Sequence, residues 1–150
     1  MTQAYTHNFS EVHRPGGTIF PSLYNIGVYN TVWLAMNNHQ RAVFLLVVRT
    51  MGAFATLDLA IQQATNAAGA GVVPLVPAKA ITQLTQVGGD ENELIIVEVR
   101  TEELDVDGGF DNIRAQVTVA GAQVQFALIP LRGCSNWPPV PVGLWTEIVL

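Results

Sequence analysis

The chain contains few charged residues, one lysine and one cysteine. Charged residues make up 13% of its 150 residues, about half of their share in an ordinary globular domain. Apart from Lys79, the basic residues are six scattered arginines, and the formal net charge is −5. Nucleic-acid binding through phosphate neutralisation needs a basic stripe, so we expect no nucleic-acid partner.

Cysteine and long apolar runs are equally scarce. Cys134 is alone, so it can form neither an intramolecular disulfide nor a cysteine-based zinc site. We interpret it as a small, partly buried thiol, because no histidine lies near it in sequence to activate a nucleophile. The longest apolar stretch, 42–48, is far shorter than the about 20 residues that cross a bilayer. The N-terminus also lacks the pattern of a signal peptide, so we expect a chain made in the cytoplasm with no membrane partner.

Hydrophobic residues are abundant, at 49% of the chain. With so few charges, much of the surface must consist of uncharged polar and apolar side chains. Extensive apolar patches on a soluble domain generally mark interfaces. The composition therefore predicts that neighbouring molecules cover part of the surface of this single domain.

Strict alternation of apolar and polar residues predicts three half-buried antiparallel strands. In 55–62 the inward residues are Ala55, Leu57, Leu59 and Ile61. In 112–119 they are Ile113, Ala115, Val117 and Val119, and in 123–128 they are Val124, Phe126 and Leu128.

Two further runs, 42–48 and 94–99, are more uniformly apolar and rich in β-branched residues. They predict strands covered on both faces, or on one face and by a partner subunit. Residues 29–36 are another strand candidate, and 78–85 are either a strand or a helical turn.

Glycine-rich and Asn/Asp-rich turns separate these strands. Residues 119–123 are typical of a tight hairpin, and 101–105 predict a short helix capped by Thr101. Evenly spaced short strands predict an all-β fold, an antiparallel β-sandwich of jelly-roll type.

The ends of the chain differ from its middle. Residues 1–22 show little periodicity and are interpreted as an N-terminal arm, residues 23–133 as the β-sandwich domain and residues 134–150 as a C-terminal arm. The prolines at 138–141 favour an extended backbone. Apolar side chains in this arm are costly to leave in water, so we predict that the arm docks on its own sandwich or on a neighbour. The predicted interface anchors are Trp137, Pro139, Leu144, Trp145, Ile148 and Leu150.

No set of residues predicts a metal or cofactor site. The acidic loop 105–111 resembles a calcium loop, but it lacks the bidentate glutamate at the required offset. We interpret it as turn chemistry and keep calcium as an alternative. The histidines show no paired metal-ligand spacing; they are His7, His13 and His39.

Catalytic patterns are also missing. No serine lies in a nucleophile elbow. The glutamates of 91–103 offer a possible carboxylate pair for glycoside hydrolysis, but glutamates near strand ends are usually solvated. Trp33, Trp137 and Trp145 could form a sugar-stacking platform, although Trp33 within a strand favours a core position and the other two favour anchors. We therefore predict no enzymatic activity.

The middle of the chain contains the segments 55–69, 79–86, 96–105 and 109–114. Together they resemble a group of small proteins encoded among the head genes of tailed bacteriophages. The proteins of that group look like virion structural proteins, some of which decorate or cement the capsid. The resemblance implies a compact β domain on the capsid exterior that forms homotrimers, binds the major capsid protein and has no active site. The alternatives are a head–tail connector or tail component, a carbohydrate-binding β-sandwich and, third, a small enzyme.

Overall fold

The computed structural model describes residues 13–135, and these residues are nearly all β. One 3-10 turn, η1, spans Thr101–Glu103. The strands are β1 (Arg14–Pro15), β2 (Ile19–Tyr24), β3 (Gly27–Asn30), β4 (Leu34–Ala35), β5 (His39–Met51), β6 (Thr56–Ala64), β7 (Val73–Pro74), β8 (Leu84–Thr85), β9 (Leu94–Arg100), β10 (Asn112–Ala120) and β11 (Val124–Ser135).

The strands form two antiparallel sheets that pack face to face. Sheet A has the order β1-β11-β5-β9, and β2 also pairs with β11. Sheet B has the order β3-β10-β6-β7, with β4 also on β10 and β8 also on β6. The prediction of an all-β antiparallel sandwich is confirmed.

The core lies between the sheets and follows the alternation read from the sequence. All the inward positions predicted on β6, β10 and β11 are at most 1% exposed, from Ala55 to Leu128. Sheet A adds inward residues of β5, such as Phe44 and Leu46, both 0% exposed. Since each strand has a side-chain period of two, the opposite residues point out of the sandwich.

The predicted hairpin at 119–123 is wrong. Ala120 pairs with Thr56 in sheet B, whereas Val124 pairs with Met51 in sheet A. Gly121, with a φ of 75°, therefore bends the chain from one sheet to the other. A turn signal marks where the chain reverses but does not specify which strand each side pairs with.

The predicted strand at 29–36 is interrupted. Asn30 is opposite Gln116, and Leu34 is opposite Ile113. The segment therefore advances by four residues where β10 advances by three, and the extra residue forms a bulge. The Thr31 hydroxyl fills the gap, because it accepts the backbone N–H of Ala115 at 3.0 Å. The 78–85 segment is extended rather than helical, with Ala80 bridged to Ala60 before β8.

The short helix predicted at 101–105 is the 3-10 turn η1, and its cap is Arg100 rather than Thr101. The Glu103 carboxylate accepts the backbone N–H of Arg100 at 2.7 Å. The Thr101 hydroxyl donates instead to the backbone carbonyl of His39. This hydrogen bond connects η1 to the start of β5.

Parts of both predicted arms lie in the sandwich. β1 and β2 pair with β11, and the predicted boundary between residues 22 and 23 falls within β2. The boundary between residues 133 and 134 falls within β11. The division into arms and domain otherwise stays a prediction.

Candidate interaction surface

The outer face of sheet A carries a block of apolar side chains on its strands β11, β5 and β9. Because directly opposed residues of antiparallel strands point to the same face, the strand register defines three rows across the block. The rows are Leu131–Val43–Glu98, Ile129–Leu45–Ile96 and Ala127–Val47–Leu94. We call these nine residues the sheet A patch. Eight of them are apolar, and Glu98 is the exception.

The sheet A patch is most accessible along β9 and least accessible on β11, where Ala127 is only 6% exposed. Leu94 is 66% exposed, Ile96 is 61% exposed and Val47 is 41% exposed. With strands about 4.8 Å apart and same-face residues about 6.8 Å apart, the patch covers roughly 300 Å². Apolar patches of this size on a monomer are often functional. Leu23 of β2, opposite Gln125 of β11, extends the exposed apolar surface by another strand.

The outer face of sheet B has the opposite character. Gln62 accepts a hydrogen bond from the Arg114 side chain at 2.8 Å, and Gln83 donates to Asp58 at 2.8 Å. The outward residues of its central strands are Thr56, Asp58, Ala60, Gln62, Arg114, Gln116 and Thr118. Thus the two central strands of sheet B present a mainly polar outer face, whereas the central strands of sheet A present a mainly apolar one. Val28 of β3, opposite Thr118 and 54% exposed, adds an apolar side chain at the side of the sheet B face.

β9 is also an edge strand. Within the described residues it pairs only with β5, so one row of its backbone groups has no strand partner. Beside this edge runs a groove of about 610 Å³, lined by Ile95, Ile96 and Val97 of β9 and by the segment 77–82. An exposed apolar edge is a template for pairing with another chain, and it adjoins the sheet A patch.

Lys79 fixes one side of this groove. Its ammonium group donates to the Glu98 carbonyl at 2.7 Å and lies 2.8 Å from the Glu103 carboxylate. Desolvation raises the pKa of Glu103, but the hydrogen bonds and charges of Lys79 and Arg100 outweigh it and leave the pKa below its usual value. The Arg41–Glu98 and Arg100–Glu102 pairs, each at 3.4 Å, are more exposed and contribute little to stability.

The predicted interface anchors from Trp137 to Leu150 lie outside the described residues, as does His7. Trp33 is not in the core. It lies between β3 and β4, with the Arg114 guanidinium 4.6 Å from its ring centroid and Gly69 packed against its indole nitrogen. The bulge before β4 places this ring beside sheet B, which alternation alone did not indicate.

The acidic loop is organised around its own backbone. The Asp105 carboxylate accepts the N–H of Gly108 at 2.9 Å, and the Asp105 carbonyl accepts the N–H of Phe110. In the part of the chain that the structure describes, no group of three His, Cys, Asp or Glu residues is arranged to hold a metal ion. Nor does any helix among residues 13–135 have the length and apolarity to span a membrane.

Sequence reasoning identified the runs 42–48 and 94–99 as unusually apolar but could not say that they pair. Their pairing creates the sheet A patch. Comparisons with protein-family models, with curated proteins and with solved structures give no match to this chain.

Proposed function

We propose that this chain is a bacteriophage virion structural protein, a capsid decoration protein that binds the assembled head shell and forms homotrimers. The observation that carries the proposal is the contrast between the two outer faces. A protein that functions by assembly needs an apolar surface for its neighbours and a polar surface for water. The sheet A patch supplies the first, and the outer face of the central strands β6 and β10 of sheet B supplies the second.

The strand order supports a jelly roll, which suits such a role. If β1–β2, β3–β4 and β7–β8 each count as one strand, the sandwich has eight strands. Sheet A then has the order 1-8-3-6 and sheet B the order 2-7-4-5. This order supports the proposal of two interlocked Greek keys, the connectivity of jelly-roll domains in viral capsids and in lectins.

The proposed mechanism is the burial of additional interface on the shell. A ligand that binds only the assembled state stabilises that state by mass action. Neighbours would cover the sheet A patch and pair with the edge of β9, on the capsid exterior and in contact with the major capsid protein. The anchors Trp137, Pro139, Leu144, Trp145, Ile148 and Leu150 stay part of this proposal as additional contacts.

The test places one charge on each outer face. Ile96→Lys puts an ammonium group in the sheet A patch, at a position already 61% exposed, so the fold should tolerate it. Thr118→Lys is the matched control on the outer face of sheet B. We expect Ile96→Lys to abolish self-association, measured by light scattering, and to reduce cosedimentation with expanded phage capsids at least tenfold, whereas Thr118→Lys leaves both unchanged.

A wild-type protein that is monomeric and does not cosediment with capsids would contradict the proposal. Equal losses in the two variants would show that the sheet A patch is not the interface. Ring-shaped oligomers in place of trimers would assign the chain to the head–tail connector instead.

A further inference from the structure

Four of the six arginines lie at one end of sheet A, where β5 begins and β9 and β11 end. By register, Arg41 and Arg100 are on the outer face of the sheet, and Arg14 and Arg132 are on its inner face. Arg14 of β1 is directly opposite Arg132 of β11, and Arg41 of β5 is directly opposite Arg100 of β9. Arg41 and Arg100 each lie 3.4 Å from a glutamate. Among the described residues, Arg14 and Arg132 have no carboxylate within ion-pair distance. Two like charges at opposed positions on neighbouring strands repel each other.

The Arg132 side chain is on the inward side of β11 and is largely buried. One terminal guanidinium nitrogen donates to the Ala35 carbonyl at 2.9 Å. Its Nε is buried and has no hydrogen-bond partner among the described residues. Burial and the charge of Arg14 lower the pKa of Arg132 to about 10, so the guanidinium keeps its charge at neutral pH. A buried charged donor without a partner is destabilising.

His39, at the start of β5, contributes a second unsatisfied group. It is only 7% exposed, and within residues 13–135 its buried Nδ1 has no hydrogen-bond partner. Its backbone N–H donates to the carbonyl of Met36 at 3.0 Å, and the preceding carbonyl, that of Ala35, accepts the Arg132 guanidinium, so His39 and Arg132 are bonded to adjacent residues.

We propose that Arg14, Arg132 and His39 form a binding site for an oxyanion. Guanidinium groups match the geometry of carboxylate and phosphate oxygens. An oxyanion between the two arginines would accept the free Nε–H of Arg132 and a hydrogen bond from the Nδ1–H tautomer of His39. It would also offset the repulsion between the two guanidinium groups. This proposal does not depend on the proposed function and is tested independently of it.

The oxyanion could be free phosphate or the carboxylate of a bound polypeptide. The two sources are distinguished by comparing sodium phosphate, sodium acetate and sodium chloride at equal ionic strength and neutral pH. Saturable binding of phosphate alone identifies a tetrahedral anion. Acetate binding of equal strength identifies a carboxylate site. Either outcome supports the proposal.

Isothermal titration of the full chain gives the affinity, and the NMR signal of the Arg132 Nε–H reports the contact. About 20 mM phosphate, roughly twenty times a Kd of about 1 mM, is expected to raise Tm by about 4–7 °C. The Arg132 Nε–H signal should shift as the site fills.

Arg14→Gln is the informative variant. Arg14 lies on a short outer strand, where the fold should tolerate the substitution, whereas Arg132 is largely buried and its substitution would also disturb the fold. We expect it to weaken binding at least tenfold. Arg49→Gln is the matched control, since Arg49 is exposed on β5 about 27 Å along the strand from Arg41. This variant should bind the anion with the affinity of the wild type. No saturable binding of either anion, or equal binding by the wild type and Arg14→Gln, would overturn the proposal.

Discussion

Two adjacent leucines on β5 provide a direct test of which face of sheet A is covered within one molecule. Leu46 points into the core, is 0% exposed and pairs with Leu128 and Ile95. Leu45 points outward, is half-buried and belongs to the middle row of the sheet A patch. The two substitutions Leu46→Ala and Leu45→Ala remove the same atoms from the same strand, so any difference comes from the face alone.

The expected magnitudes differ clearly. Leu46→Ala leaves a cavity in a packed core and should lower the free energy of unfolding by about 3 kcal/mol. With an m-value of about 1.5–2 kcal/mol/M for a chain of this size, the urea midpoint should fall by about 1.5–2 M. Leu45→Ala removes a side chain that already contacts water and should lower the free energy of unfolding by about 1 kcal/mol or less.

Urea unfolding followed by tryptophan fluorescence, at a protein concentration low enough to give monomers, measures both values. At higher concentration, the loss caused by Leu45→Ala should grow, because association then adds to the stability of the wild type. An equal loss for the two variants in dilute solution would refute the reasoning, since Leu45 would then be covered within the single molecule.

Two further predictions concern the buried histidine and the glycine turns. Burial first, and then the charges of Arg132 and Arg14, lower the pKa of His39 to about 4, so the unfolded chain binds more protons between pH 6.5 and 4. The contribution of the neutral imidazole should therefore be complete above pH 6.5, and the free energy of unfolding should fall by about 3 kcal/mol as the pH is lowered to 4. Urea midpoints measured across this pH range in phosphate-free buffer test this. A free energy of unfolding that depends on pH equally in the wild type and in His39→Gln would contradict it. Gly121 and Gly89 both have positive φ, but a Cβ would clash with the backbone of Phe54 only at Gly121. In thermal unfolding, Gly121→Ala should thus lower Tm by several degrees more than Gly89→Ala, and similar losses would show that only the backbone conformation matters.

The sequence predicted the strands wherever one face is buried and the other is in water. On β6 and β10, for example, the alternation of Leu57 and Asp58, or of Val117 and Thr118, specifies both the strand and its inward face. The all-β class followed from these strands and from the turns between them. Composition also predicted an excess of apolar surface, because a chain with 13% charged residues cannot cover itself with charge.

Pairing and position were decided only by the tertiary structure. The residues 119–123 carry a turn signal, but only the long-range pairing of Ala120 and Val124 places them on different sheets. Arg14 and Arg132 are far apart in sequence, and the antiparallel register of β1 with β11 makes them neighbours. In the same way, the pairing of β5 with β9 brings the two apolar runs, 42–48 and 94–99, together into one patch. Local periodicity encodes which face of a strand is buried, whereas the identity of the neighbouring strand depends on contacts distant in sequence, and those contacts create both surfaces proposed to bind partners.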